Sequence, residues 1–246
     1  MRKIYQHNWF GIDFSDLSEL SRGKLPSARF YEDFYRSFFD KYTSYSDLDD
    51  SYRKDKECKA NFIADKVKNR PKCLSFGCGI GYIEYLLSIG IQDLQLYIVD
   101  NPIATKWIEK FIDKKYVNAD LRKIDQSDFD LIYLVLVDYA FTDQDLVNLL
   151  QELKRYLNSG GSIMVINMEK NYSTFERIDP FIKDLLKDVL SILGLYDRGQ
   201  FWGYLRSPQE IENLFRKAGF ISQIRQTMVS TNIQGCNFSC TEAFLS

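Results

Sequence analysis

The chain has 246 residues, 45% hydrophobic and 27% charged, which is enough for one large α/β unit or two small ones with a sizeable core. Its 32 Lys and Arg nearly balance 34 Asp and Glu, so there is no basic footprint and nucleic acid is not expected as a partner. No run approaches the ~18 apolar residues of a membrane span, and the opening MRKIYQHNWFGID lacks the apolar core and cleavage site of a signal peptide.

Five cysteines (Cys58, Cys73, Cys78, Cys236 and Cys240) form no C-x-x-C, and His7 is the sole histidine, so no metal site is expected. A reduced, cytoplasmic protein is the simple reading.

In chain order, residues 1–70 read as a helical cap. Tyr31, Phe34, Tyr35, Phe38 and Tyr42 fall on one face of a helix within Ser27–Tyr42. A second helix is expected over Lys56–Val67, with Phe62, Ile63 and Val67 inward. From Lys72 short apolar runs alternate with amphipathic helices. CLSF (73–76), LQLYIVD (94–100), KKYVNAD (114–120), FDLIYLVLV (129–137) and SGGSIMVINM (159–168) read as five strands. The fourth is apolar almost throughout, as suits a strand covered on both faces. Thr142–Asn158 is a helix with a capping-box start, Thr142 to Asp145. Ser207-Pro208-Gln209-Glu210 opens another, which Gly219 ends. Segments 220–229 and 236–245 pair as late strands. The alternation implies a mostly parallel, doubly wound sheet.

The chemistry gathers at Gly77-Cys78-Gly79-Ile80-Gly81, a turn between the first of these strands and its helix. Glycines let a ligand approach the main chain, and this is the carboxyl end of a strand, where open α/β sheets bind ligands. Dinucleotide binders want G-x-G-x-x-G, but here Tyr82 takes the sixth position. Asp100 ends the second strand, 23 positions after Gly77, where a carboxylate can accept from two ribose hydroxyls. Asn101 and Pro102 follow as an adenine wall, and Asn118-Ala119-Asp120-Leu121 closes the third strand.

Taken together, Lys72 to the C-terminus resembles the class I S-adenosylmethionine-dependent methyltransferases, including the S-P-x-E helix start and the Lys217-Ala218-Gly219-Phe220 ending. The resemblance implies a Rossmann-like, seven-stranded, mostly parallel sheet. It implies S-adenosylmethionine as cofactor and S-adenosylhomocysteine as product. It places Gly77, Gly79 and Gly81 against the methionine part, Asp100 at the ribose and Asp120 at the adenine, and it adds Ser75, Phe76, Cys78, Asn101, Leu121 and Val135 to the cofactor-binding set. One position departs from the family. Ser75 stands where an acidic residue usually helps to hold the cofactor's amino group, and it brings no charge. Tyr31, Tyr35 and Arg53 of the N-terminal helices are candidates to close over the cofactor and supply the missing partner.

The acceptor is expected at the end of the fourth strand, Val135-Leu136-Val137-Asp138-Tyr139, with Asp138 as candidate base beside Tyr139. No Asn-Pro-Pro-Tyr-like motif occurs there, which argues against amino groups of bases or Gln as acceptors. An insertion, 169–206, carries a helix over Pro180–Leu193. Arg177, Arg198 and Arg206 are candidate phosphate or carboxylate anchors, and Trp202 and Tyr204 can stack on a sugar or an aromatic ring. The helix's apolar stripe can instead serve as a dimer surface, so monomer and homodimer both stay open.

The sequence therefore reads as one methyltransferase domain over 1–246, with a cap (1–70), a cofactor-binding core (71–168 and 207–246) and an acceptor-side insertion (169–206). The expected activity is O-methylation of a small sugar-like, phosphorylated or carboxylated metabolite. The alternatives are an N-methyltransferase for an amine or amino sugar, a non-catalytic cofactor-binding scaffold, and an NAD-dependent oxidoreductase, which Tyr82 disfavours.

Overall fold

The computed structural model describes all residues except 1, 19, 22, 170–186, 188, 191, 192, 194, 222, 230–236 and 246, and the backbone alone of Glu169. Arg177, Cys236 and nearly all of the helix expected over Pro180–Leu193 lie outside the described residues.

The N-terminal segment differs from a purely helical cap. It opens with three short strands, β1 (Arg2–Gln6), β2 (Asn8–Trp9) and β3 (Ile12–Asp13). The helices follow: α1 (Ala28–Lys41), capped by the Ser27 hydroxyl on the Phe30 N–H, and α2 (Asp50–Val67), which starts six residues before the expected Lys56. β1 pairs antiparallel with β9 (Gln200–Leu205), so the start of the chain is tied to the insertion. Neither strand carries a long alternating pattern. The partners are nearly two hundred residues apart, and a pairing so distant leaves no local signal.

The central sheet is the expected one. β4 (Lys72–Phe76), β5 (Gln95–Val99), β6 (Val117–Asn118), β7 (Phe129–Val135), β8 (Leu157–Glu169), β10 (Gln223–Val229) and β11 (Asn237–Phe244) run in the order β10-β11-β8-β7-β4-β5-β6. The links β8-β7-β4-β5-β6 are parallel, and β11 is antiparallel to both β8 and β10. Only two residues of 114–120 are strand, because Lys114–Tyr116 forms a 3-10 turn under the Asp113 cap.

Burial on both faces follows from the alternation along the strands. Cys73, Leu131, Tyr133, Met164 and Ile166 face α2 and α3 (Tyr82–Gly90), where Ile63, Val67, Ile83 and Leu87 meet them. Leu74, Ile132, Leu134, Ile163 and Val165 face α4 (Asp143–Lys154) and α5 (Pro208–Lys217), against Leu146, Leu150, Leu153, Ile211 and Phe215. A third cluster, almost wholly aromatic, joins the cap to the sheet through Phe14, Phe30, Phe34, Phe38, Trp107 and Trp202. The strand order reverses at β4, between β5 and β7. That crevice is where this class of sheet binds ligands.

β9 runs hard against the end of β7. Gly203 has φ 155°, and a Cβ there would collide with the Tyr139 carbonyl oxygen. Gly203→Ala should cost about 2–4 kcal/mol in denaturant unfolding, because backbone must move on both sides. An unchanged midpoint would mean that β9 can retreat freely.

Candidate cofactor and acceptor site

The turn after β4 is built as its glycines require. The Gly77 N–H donates to the Val99 carbonyl at 2.8 Å, and a Cβ on Gly77 would come within 2.5 Å of Val137. Gly81 caps α3 in a left-handed conformation. Gly79 is held from the next strand: its N–H donates to Asp100 Oδ2 at 2.6 Å, while Asp100 Oδ1 accepts from the Asn101 N–H at 2.5 Å. An ionised carboxylate has about four acceptor positions; the Cys78 thiol also reaches Asp100, so about one stays open for a ribose hydroxyl. Burial pushes its pKa up to about 6, against the pull of these backbone bonds.

A narrow cleft, partly open to solvent, lies beside this turn. It is lined by Ser75, Gly77, Cys78 and Val135, as the sequence suggested, and by Tyr52, Lys56, Tyr82, Ile83 and Glu84, which it did not. Glu84 is buried in the first turn of α3. Ser75 Oγ donates to its Oε1 at 2.7 Å and the Tyr133 hydroxyl reaches the same atom at 3.3 Å. Its Oε2 is buried without a hydrogen-bond partner. Burial pushes the Glu84 carboxyl up to about 7, opposed by Ser75 and more weakly by Lys56. Burial and the neighbouring Lys59 lower Lys56 to about 8. The sequence did hold a signal for Glu84: it is the lone charge between Lys72 and Asp93.

Other expected contacts sit differently. Phe76 turns its ring to the α4 side of the sheet. The Asn101 side chain accepts from the Ile103 N–H, and Leu121 is buried in the core. Asp120 caps the turn 121–123 and pairs with Arg122 at 2.7 Å, which holds its carboxyl down at about 2. Arg53 pairs with Asp50.

Tyr35 lies against the turn, and Tyr31 stacks beside it with ring centroids 6.4 Å apart. A Cβ on Gly79 would meet the Tyr35 hydroxyl at 3.5 Å, and the Tyr31 hydroxyl shares a hydrogen bond with that of Tyr139. Burial raises all three tyrosines well above the usual phenol range, so they stay neutral. Behind them Trp202 is buried and stacks on Tyr139 and Phe14, with ring centroids 5.9 and 5.1 Å apart. Tyr45 donates to the Ile80 carbonyl at 2.7 Å, fastening the cap to the turn.

The arginine anchors need correction. Arg206 is 2% exposed, and its guanidinium donates to the carbonyls of Asp138 (2.5 Å) and Phe141 (2.7 Å) and to Asp143 Oδ1 (2.9 and 3.0 Å). A group so committed is structural. Arg198 lies over the Tyr5 ring, 4.1 Å from its centroid, and half-buried Tyr204 packs on Phe201. Asp138 is buried, with Oδ2 3.8 Å from Arg206. Desolvation raises its pKa to about 7 even against that cation.

The comparisons agree with this geometry. A methyltransferase-domain family matches residues 51–221, more than half of the chain. No curated protein matches in sequence. Among solved structures, a candidate O-methyltransferase from Nostoc punctiforme superposes with TM-score 0.56 at 16% identity, covering 94% of this chain and 64% of that one. Human N-acetylserotonin methyltransferase, solved with S-adenosylmethionine, gives 0.53 at 18%, covering 88% and 56%. An O-methyltransferase family protein from Burkholderia thailandensis gives 0.55 at 14%, covering 89% and 60%. This chain thus spans under two thirds of the length of each. A class I methyltransferase fold with a ligand crevice at the reversal of its strand order is defined by both lines. The chain belongs to the methyltransferase-domain family, whose cofactor is S-adenosylmethionine.

Glu84, Asp100 and Asp138 all have folded pKa values above the ordinary 4.5 and 3.8. The folded chain therefore holds extra protons between about pH 4 and 7, and its ligand-free stability falls as pH rises through that window. Glu84→Gln removes one of the three. From pH 4.5 to 7.5 the balance between variant and wild type should move toward the variant by up to about 3 kcal/mol in urea unfolding. A pH-independent difference would show that Glu84 titrates normally.

Proposed function

We propose that this chain transfers a methyl group from S-adenosylmethionine to a hydroxyl oxygen of a small polar acceptor, sugar-like or aromatic. The observation that carries the reading is the group of neutral tyrosine hydroxyls, Tyr31, Tyr35 and Tyr139, near the glycine turn, with a carboxylate of near-neutral pKa, Asp138, just beyond β7; Trp202, stacked on both faces, backs this wall rather than contacting the acceptor. Neighbours in fold that are described as O-methyltransferases support it. Among the described candidates, Arg206 is committed to carbonyls and Asp143 and Arg198 lies on the Tyr5 ring, so this reading does not rest on an arginine anchor.

The residues fit the cofactor. Asp100 has an acceptor position for a ribose hydroxyl, and Glu84 has a free buried oxygen. When bound, S-adenosylmethionine supplies a sulfonium-activated methyl carbon with a good leaving group. What the protein adds is position. Gly77 and Gly79 let the main chain lie close, Asp100 fixes the nucleoside, and Tyr31, Tyr35 and Tyr139 exclude water from the acceptor's approach. An acceptor hydroxyl that took the methyl group would have to give up its proton as the carbon–sulfur bond broke. Asp138 can take it at neutral pH, provided its carboxylate turns from Arg206 toward Tyr139.

Two measurements test this. A screen of hydroxylated metabolites, sugars and phenols for S-adenosylhomocysteine release should yield turnover with at least one. Failure across hydroxyls with turnover on amines would move the reading to N-methylation, and cofactor binding without any transfer would favour a scaffold. Asp138→Asn should then lower kcat by about 10²–10⁴-fold with little change in cofactor KM, the range of a lost general base. An unaltered kcat would remove Asp138 from the chemistry.

A further inference from the structure

The cleft beside the glycine turn holds one anion and one cation that do not neutralise each other. Glu84 has an oxygen buried with no hydrogen-bond partner, although the residue is only 2% exposed. Leaving a buried acceptor unmade costs free energy, so its retention points to a partner outside the chain. Lys56 lines the same cleft from α2, with Nζ 5.3 Å from the Tyr52 ring centroid. Among the described residues it makes no ion pair within 4 Å. Next to it, Lys59 pairs with Asp55, so that cation is already answered. An unsatisfied carboxylate oxygen and an unpaired ammonium in one cleft are the complement of a zwitterion.

We propose that Glu84 and Lys56 form a clamp for a zwitterionic α-amino acid group, Glu84 receiving the ammonium and Lys56 the carboxylate, and that this group is the methionine end of the cofactor. The inference rests on the cofactor reading above and adds two residues that neither the glycine pattern nor the strand-end position indicates. Ser75 gains a role as well. A carboxylate at position 75 would sit against Glu84 in a buried site, where like charges repel. The serine hydroxyl instead donates to Oε1 and orients the carboxylate, leaving Oε2 for the ligand. The charge is kept, but it comes from the helix rather than the strand. The candidates expected from the N-terminal helices are thereby replaced: Arg53 carries the wrong sign for an ammonium, and Tyr31 and Tyr35 are neutral.

Calorimetry with three adenosine thioethers separates the outcomes. S-adenosylhomocysteine has both ends of the zwitterion, its decarboxylated form keeps only the amine, and 5′-methylthioadenosine has neither. Glu84→Gln keeps the size and a polar contact to Ser75. It should weaken S-adenosylhomocysteine and the decarboxylated form by roughly ten- to hundredfold, the range for hydrogen bonds to charged groups, and leave methylthioadenosine within about twofold. Lys56→Met, at a half-buried position, should weaken only S-adenosylhomocysteine, by about three- to tenfold. Unchanged S-adenosylhomocysteine affinity in both variants overturns the clamp, as does equal weakening of all three ligands. If wild type binds none of the three, the cofactor reading fails instead. Retained methylthioadenosine binding certifies that each variant is folded.

Discussion

Arg206 is buried at the junction of β9 and α5, and its guanidinium bonds fall on one short stretch of chain, residues 138–143. That stretch leaves β7 and starts α4, and it carries Asp138 and Tyr139. A planar donor fork holds several carbonyl and carboxylate acceptors at once, which a lysine cannot do. The arginine thereby fixes the path of the chain from β7 into α4. Tyr139 is set against Trp202, Trp202 against Phe14, and Tyr139 against Tyr31 of the cap. Remove the guanidinium and Asp138, Phe141 and Asp143 lose their common partner, and the aromatic stack loses its base.

The second organising feature is electrostatic. Glu84, Asp100 and Asp138 stand at the carboxyl ends of, or just beyond, β4, β5 and β7, and burial disfavours the charge on each. Carboxylates held in this way destabilise the ligand-free fold at neutral pH. Their distribution along one edge of the sheet marks the edge as a place where function outranks stability. The glycines of the turn belong to the same compromise, since Gly77 tolerates no side chain against Val137.

Much of this was legible from residues alone. The strands β4, β5, β7 and β8 announce themselves as short apolar runs because they are covered on both faces. Helix α1 follows from apolar spacing, and α4 and α5 start at hydroxyl caps that the structure reproduces. The glycine turn and Asp100 were legible because their spacing is a property of the strand-turn-helix unit. What escaped has a common cause: it depends on contacts between distant segments. The β1–β9 pair spans nearly the whole chain. Arg206 reads as a phosphate or carboxylate anchor until its carbonyl partners are known. Glu84 reads as a helix-start acid, which favours a helix N-terminus anywhere, and only the fold reveals that it faces Ser75. In α2 the early turns carry Tyr52, Asp55, Lys56 and Lys59 on one side. A polar stripe of that kind looks solvated in sequence but here turns inward.

The hydroxyl of Tyr45, bonded to the carbonyl of Ile80, has a wider implication. It joins the cap to the fourth residue of the turn against which a cofactor would lie. Thermodynamic linkage runs both ways. A ligand that tightens the turn must also tighten the cap, and any perturbation that loosens the cap is felt as weaker ligand binding. The N-terminal helices are then more than a cover. They share one equilibrium with the turn, so this protein's affinity for its ligand is set in part by residues that never touch it.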